Sequence, residues 1–441
     1  MSSKVLIKNI FSVGIIQIAN YLFPLITVPI VSRIIGPDKF GVINFAAAFV
    51  AYFTLLIGYG FDLTGVRRII KAPDDLENRS TVFNEIFQTQ ILLLLVSLVI
   101  YSILVYSVPQ LRHEKLVAMF TFLACFATVI TQNWLFQAMQ DLSKIAILSL
   151  VSKILFTIAI LLVIHKRSDY IWQPLAVSIS TIVVSIISFI WSIRRYKLKF
   201  RFVRLRSCLD LLWDERIFFT SMIIINLYTT TNVVFLGLFH DAKQVGYYTA
   251  GLKIITIFQT IISMTLSQAF FPFVGKAFKE GFDKGIDTCQ KILPLVLIST
   301  VSMATFFFLI GPYALSVLYG AAFAPSIIVF RILIYTPVII AFSTVLGIHV
   351  MLNLGMDKVF FRISCLGAVI SVILNFVYVR PYGFVASATT LLLTESLIAV
   401  FFYIGLKRKG IEIINVEFFK FKNIKFLLYN TLKRKGVDVT K

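Results

Sequence analysis

Apolar runs of about twenty residues recur along nearly the whole chain, and each is long enough to cross roughly 30 Å of hydrocarbon. No water reaches the backbone inside lipid, so such runs must close their hydrogen bonds within helices. We read twelve spans, at 10–33, 40–66, 83–107, 115–140, 144–165, 170–193, 216–239, 245–274, 290–311, 325–353, 358–379 and 382–406. The expected fold is an all-α polytopic membrane protein. With 59% of its 441 residues hydrophobic and a mean hydropathy of +0.90, the chain is not a soluble globular domain.

Charge sets the expected orientation. Lysine and arginine held on the cytoplasmic side account for the net charge of +21, so no nucleic-acid partner is expected. With a cytoplasmic N-terminus, the inner connections carry Arg67, Arg68, Lys71 and Arg79, then the run from Arg194 to Arg206. The outer ones are sparse in cations, and both termini are then cytoplasmic. The long basic connection around 194–214 divides the spans six and six. This predicts an N-terminal six-helix lobe with its basic linker over 1–205, a C-terminal six-helix lobe over 206–407, and a basic amphipathic cytoplasmic tail over 408–441. The tail is expected on the anionic inner leaflet, against membrane lipids. An even number of spans per half predicts two pseudo-symmetric lobes around a central cavity. A short echo agrees: Phe40-Gly41-Val42-Ile43 in the first half, Val245-Gly246-Tyr247-Tyr248 in the second.

Cations inside spans cost roughly 2.5–3.5 kcal/mol each at the bilayer centre, so each needs a reason. Lys153 falls near the middle of span five, Lys253 in span eight, Arg331 in the outer third of span ten, and Arg33 at the outer end of span one. Acids are scarcer: Glu395 in span twelve, and Asp62 nearer the inner end of span two, the latter expected to pair with Arg67 or a neighbouring span. An interior with surplus positive charge suits a phosphate or pyrophosphate. Arg33 and Arg331 also lie close enough to the interface to snorkel. Glu395 is the expected ion-coupling group.

Polar periodicity adds to this. Lys253, Thr256, Thr260, Ser263 and Ser267 share one helical face. Asn133, Gln137 and Gln140 share another, as do Ser149, Lys153 and Thr157, and span seven carries Asn226 among threonines. Interhelical packing uses the same residue types. Several amide-rich stripes together with cations favour a wet cavity. Pro24, Pro29 and Pro337 are placed to bend helices. No Walker A loop, metal-ligand spacing or nucleophile motif is present, so neither enzyme activity, nor a metal, nor a cofactor is expected. The cysteines have no CxxC spacing and predict no disulfide framework.

The stretch from Pro24 to Phe45, with R-I-I-G-P-D-K-F-G-V-I-N-F, resembles the first hairpin of Wzx-type O-antigen and polysaccharide repeat-unit flippases. These belong to the multidrug/oligosaccharidyl-lipid/polysaccharide exporter superfamily. Tyr228-T-T-T-N-V-V-F-L-G-L-F followed by Val245-G-Y-Y-T-A-G-L-K resembles the matching hairpin of that family's second half. Where such proteins often carry an acid, this chain has Asn232. The resemblance implies a non-enzymatic flippase of undecaprenyl-diphosphate-linked oligosaccharides in the bacterial inner membrane. It would work by alternating access, beside a polysaccharide polymerase and chain-length regulator proteins. Arg33, Lys153, Lys253 and Arg331 would then attract the diphosphate, and Asn133, Gln137, Asn226, Thr256 and Thr260 would meet sugar hydroxyls. An ion-coupled multidrug exporter of the same superfamily is the alternative. It would need acids where this chain has cations.

Overall fold

The computed structural model describes residues 3–420, among which every regular element is a helix. The expected tail helix lies, from residue 421 onward, outside the described residues. In chain order the α-helices are α1 (Ser3–Gly58), α2 (Phe61–Ile70), α3 (Leu76–Ser107), α4 (Pro109–His113), α5 (Lys115–Ile130), α6 (Asn133–Ala138), α7 (Leu142–Val163) and α8 (Trp172–Tyr196). Then come α9 (Leu205–Phe239), α10 (Ala242–Thr265), α11 (Phe271–Glu280), α12 (Phe282–Tyr319), α13 (Ser326–Leu333), α14 (Thr336–Thr344), α15 (Asp357–Leu374) and α16 (Arg380–Lys407). π-helical turns stand at Leu266–Phe270, Val345–Met351 and Asn375–Val379.

Among the described residues, nine segments are long and apolar enough to cross a membrane. The bent pair Leu205–Leu227 and Thr229–Phe239, turning by 53°, makes a tenth. Two of the long segments each contain a break at which one candidate crossing can be counted as two. α1 leaves helical torsions at Gly36 (φ 77°, ψ 170°) and α16 at Gly383 (φ 60°, ψ −140°). Only glycine adopts such torsions readily, and Pro37 restarts the helix with its preset φ. Counted at these breaks as well, the described residues offer twelve candidate crossings, roughly the number hydropathy predicts.

The expected continuous span four is interrupted. α5 ends at Ile130 and α6 begins at Asn133. Between them Gln132 is fully buried. Its Nε2 donates to Val129 O at 2.7 Å and to Gln90 Oε1 at 3.2 Å, and its Oε1 accepts from Trp134 Nε1 at 2.5 Å. Non-helical backbone at membrane depth persists only where protein groups satisfy it, and this amide cluster does so. Span ten breaks between α13 and α14, where Pro337 stands in the first turn of α14. Asp62, expected to pair with Arg67 or a neighbouring span, forms no ion pair among the described residues, whereas Arg68 pairs with Glu85, its Nη2 2.5 Å from Oε2.

The chain divides into two compact units. One holds Met1–Asn226, Val233–Thr249 and Leu318–Phe323, and the other Leu227–Asn232, Ala250–Val317 and Ala324–Lys441. In the first, α5 and α7 pack on α1, and α8 packs on both. Its core includes Phe53, Tyr101 and Phe122, with ring centroids 4.5–6.0 Å apart, and Tyr101 Oη donates to Ala118 O at 3.0 Å. In the second unit α16 is the central helix, against which α13, α14 and α15 pack.

Candidate functional site

In the first unit, Lys153 stands on α7, one turn from Ser149 and one from Thr157. It is half-buried and has no carboxylate at ion-pair distance among the described residues. Thr157 Oγ1 beside it is buried without a hydrogen-bond partner. Asn133 is half-buried and Gln137 exposed, one turn apart on α6, after the break. Gln140 has left the helix altogether, at φ 56°. Asn226 on α9 is half-buried and donates to Met222 O at 3.0 Å. Arg33 is exposed on α1, beside Gly320.

In the second unit, α10 is two-sided. Ile255, Phe258 and Ile262 are buried. Lys253, Thr256, Thr260, Ser263 and Ser267 are half-buried or exposed. The polar stripe read from the sequence therefore lies on the less buried side of this helix and the turn that follows it, a side it shares with the exposed Ile261. Thr256 and Thr260 each turn a hydroxyl back to the carbonyl four residues earlier, at 2.9 and 2.8 Å, which leaves their lone pairs outward. Arg331 is exposed on α13, its guanidinium carbon 5.8 Å from the Phe308 ring centroid, a cation–π arrangement. The stripe thus unites Lys253, Thr256 and Thr260, while Arg331 and Glu395 stand on helices of their own.

Glu395 is 5% exposed, with neither an ion pair nor a hydrogen bond among the described residues. It stands on α16, against which α15 packs. Ser387, Thr390 and Thr394 on α16, Ser371 on α15 and Asn375 in the π-helical turn after it are buried as well. Asn375 Nδ2 donates to Ser371 O at 2.8 Å, while Asn375 Oδ1, Ser387 Oγ and Thr394 Oγ1 have no partner. Sequence reading singled out Glu395 alone. The buried small polar residues of α15 and α16 are common in helix contacts, and only the structure shows that they are buried. His349, in the second π-helical turn, is also buried, with both ring nitrogens unpartnered.

The two glycines of the sequence echo meet. Within the first unit, a Cβ at Gly41 would lie 1.6 Å from Ala242 O, and one at Gly246 would lie 1.9 Å from Pro37 O. Each glycine thus faces the carbonyl four residues before the other, the reciprocity of a two-fold helix crossing. Polar contacts brace this end. Lys39 Nζ lies 3.0 Å from Glu114 Oε1 and 3.2 Å from Tyr170 Oη, Tyr170 Oη donates to Glu114 Oε2 at 2.6 Å, and Arg167 pairs with Asp38 at 2.6 Å.

A family model described as polysaccharide biosynthesis protein matches residues 6–278. A curated relative named for O-antigen transport, from Escherichia coli (strain K12), is 25% identical over 391 residues, covering 89% of this chain and 94% of the relative. A second so named, from Shigella dysenteriae, is 25% identical over 401 residues, 89% of this chain and 98% of the relative. Among solved structures, the lipid II flippase MurJ in an inward closed conformation has a TM-score of 0.70 at 14% identity, over 100% of this chain and 94% of that one. An inward-facing multidrug resistance MATE family transporter of the MOP superfamily has a TM-score of 0.69 at 14% identity, over 91% and 98%. These two likenesses show the fold.

Proposed function

We propose, from the premise that the chain belongs to the polysaccharide biosynthesis protein family, that it carries lipid-linked polysaccharide repeat units across a bacterial inner membrane. The cargo is an oligosaccharide on undecaprenyl diphosphate, moved by alternating access during assembly of O-antigen, capsule or exopolysaccharide. The observation that carries this reading is the accessible polar stripe of α10, headed by Lys253. A diphosphate keeps its charge out of bulk water only where cationic donors replace its hydration. Lys153 and Lys253 supply such donors at membrane depth, with Arg33 and Arg331 nearer the helix ends. Thr256, Thr260, Asn226, Asn133 and Gln137 offer hydroxyls and amides to the sugars. The relatives named for O-antigen transport support the glycan. Lobes over 1–205 and 206–407, a tail over 408–441, cytoplasmic termini, and work beside a polymerase and a chain-length regulator belong to the same proposal.

In cells deprived of their own flippase, Lys153→Ala with Lys253→Ala is expected to remove surface polysaccharide and leave drug resistance unchanged. Intact polysaccharide with lost resistance would overturn the reading in favour of a drug exporter.

Glu395 is proposed as the ion-coupling group, because a buried carboxylate without a partner must be neutralised by a proton or a cation. Glu395→Gln in proteoliposomes is expected to keep substrate binding and lose the dependence of transport on a proton or sodium gradient. Full gradient dependence in that variant would remove Glu395 from coupling.

A further inference from the structure

The basic linker between α8 and α9 is held in an unusual way. Residues 198–203 run extended along α3 and are gripped by its side chains. Ser80 Oγ accepts from Lys199 N at 3.2 Å. Asn84 donates to Lys199 O at 2.7 Å and accepts from Arg201 N at 3.1 Å. Gln88 donates to Arg201 O at 2.7 Å and accepts from Val203 N at 2.9 Å. Four helical residues advance about 6.0 Å and two extended residues about 6.6 Å, so polar side chains every fourth position on α3 meet backbone groups every second residue of the linker. The grip holds the backbone at residues 199, 201 and 203, and Phe200 packs on Phe83, Phe87 and Phe189, while several other linker side chains face outward.

Those side chains share a pattern. Lys197, Lys199, Arg204 and Arg206 are exposed and form no ion pair among the described residues, whereas Arg201 is taken by Glu77 at 2.8 Å. Phe202 is fully exposed. At the start of α9, Cys208 and Leu211 are buried and Tyr59 Oη donates to Leu212 O at 3.1 Å, which docks that face on its own unit. Leu205, Leu209, Trp213 and Ile217, spaced one turn apart, are 52–69% exposed on the other side. Further along the same helix, Ile225 is also exposed.

We infer that residues 197–217 form a docking surface for anionic phospholipids at the membrane surface. Unpaired cations in a row meet the lipid phosphates, while Phe202 and the α9 stripe enter the acyl boundary. Two observations favour a lipid over a protein or a free phosphate. The apolar stripe belongs to a bent helix pair long and apolar enough to span a membrane, and the cations complement an anionic leaflet.

The test uses the full chain in nanodiscs containing phosphatidylglycerol and phosphatidylethanolamine. Lys197, Lys199, Arg204 and Arg206 are replaced together by Gln, and retained lipid is read by native mass spectrometry. Retention of phosphatidylglycerol is expected to fall about fivefold or more, with phosphatidylethanolamine unchanged. In parallel, brominated phosphatidylglycerol is expected to quench Trp213, seen as a quenching component missing from Trp213→Phe. Equal phosphatidylglycerol retention in both proteins would overturn the inference. So would Trp213 emission that brominated lipid leaves untouched, loss of bound lipid to added inorganic phosphate, or a photo-crosslinker at position 202 that labels a protein instead of lipid. The Trp213 arm uses native cations, so it stands if the four-fold variant fails to fold.

Discussion

Gly246→Ala is expected to cut transport at least tenfold while the protein still reaches the membrane. The added methyl would stand 1.9 Å from a backbone carbonyl, that of Pro37, and no side chain can rotate away to relieve it. The helices must part instead, and overpacking of this kind costs typically 1–3 kcal/mol or more. Gly41→Ala obstructs the same crossing from the other side, at 1.6 Å from Ala242 O. The double variant is therefore expected to be little worse than either single one, because once the helices have separated the second methyl meets nothing. Such non-additivity marks residues that share one contact. Surface polysaccharide and thermal unfolding of the two single variants and the double variant measure it. Additive losses would mean that the two glycines serve separate local purposes.

Lys253→Met is expected to lower transport at limiting substrate by one to two orders of magnitude, and Lys253→Arg to keep most of it. A hydrogen bond to a charged group contributes about 1.5–3 kcal/mol, and about 1.4 kcal/mol corresponds to tenfold in affinity. Methionine keeps the length and apolar stem of lysine, so the loss reports the charge and not the packing. Initial rates in proteoliposomes, at substrate below and above saturation, separate weakened binding from slowed movement. Equal rates for Met and Lys at limiting substrate would take Lys253 out of the site.

Hydropathy alone carried the number of crossings, because the cost of exposing backbone to lipid acts on each segment by itself. The break at Gly36 falls in the gap between the first two predicted spans, 10–33 and 40–66. The polar face of α10 was also legible, since a stripe at helical spacing is a property of one helix. The break before Asn133 was not. It depends on Gln90, more than forty residues away in sequence, meeting Gln132 at 3.2 Å. Nor was the grip of Asn84 and Gln88 on the linker, because amides in a span look alike until their partner is placed. In the sequence, the echo of Gly41 and Gly246 reads as a sign of two pseudo-equivalent halves. That the two residues touch the same crossing is visible only in three dimensions.

The chemistry proposed for this chain is recognition of a diphosphate by cations at membrane depth. Its most direct measurement compares, in one set of proteoliposomes, movement of the same oligosaccharide on a polyprenyl diphosphate and on a polyprenyl monophosphate. The diphosphate-linked glycan is expected to cross at least tenfold faster, and Lys153→Gln with Lys253→Gln to erase that difference. Equal rates for the two lipids in the native protein, or an undiminished preference in the double variant, would contradict it.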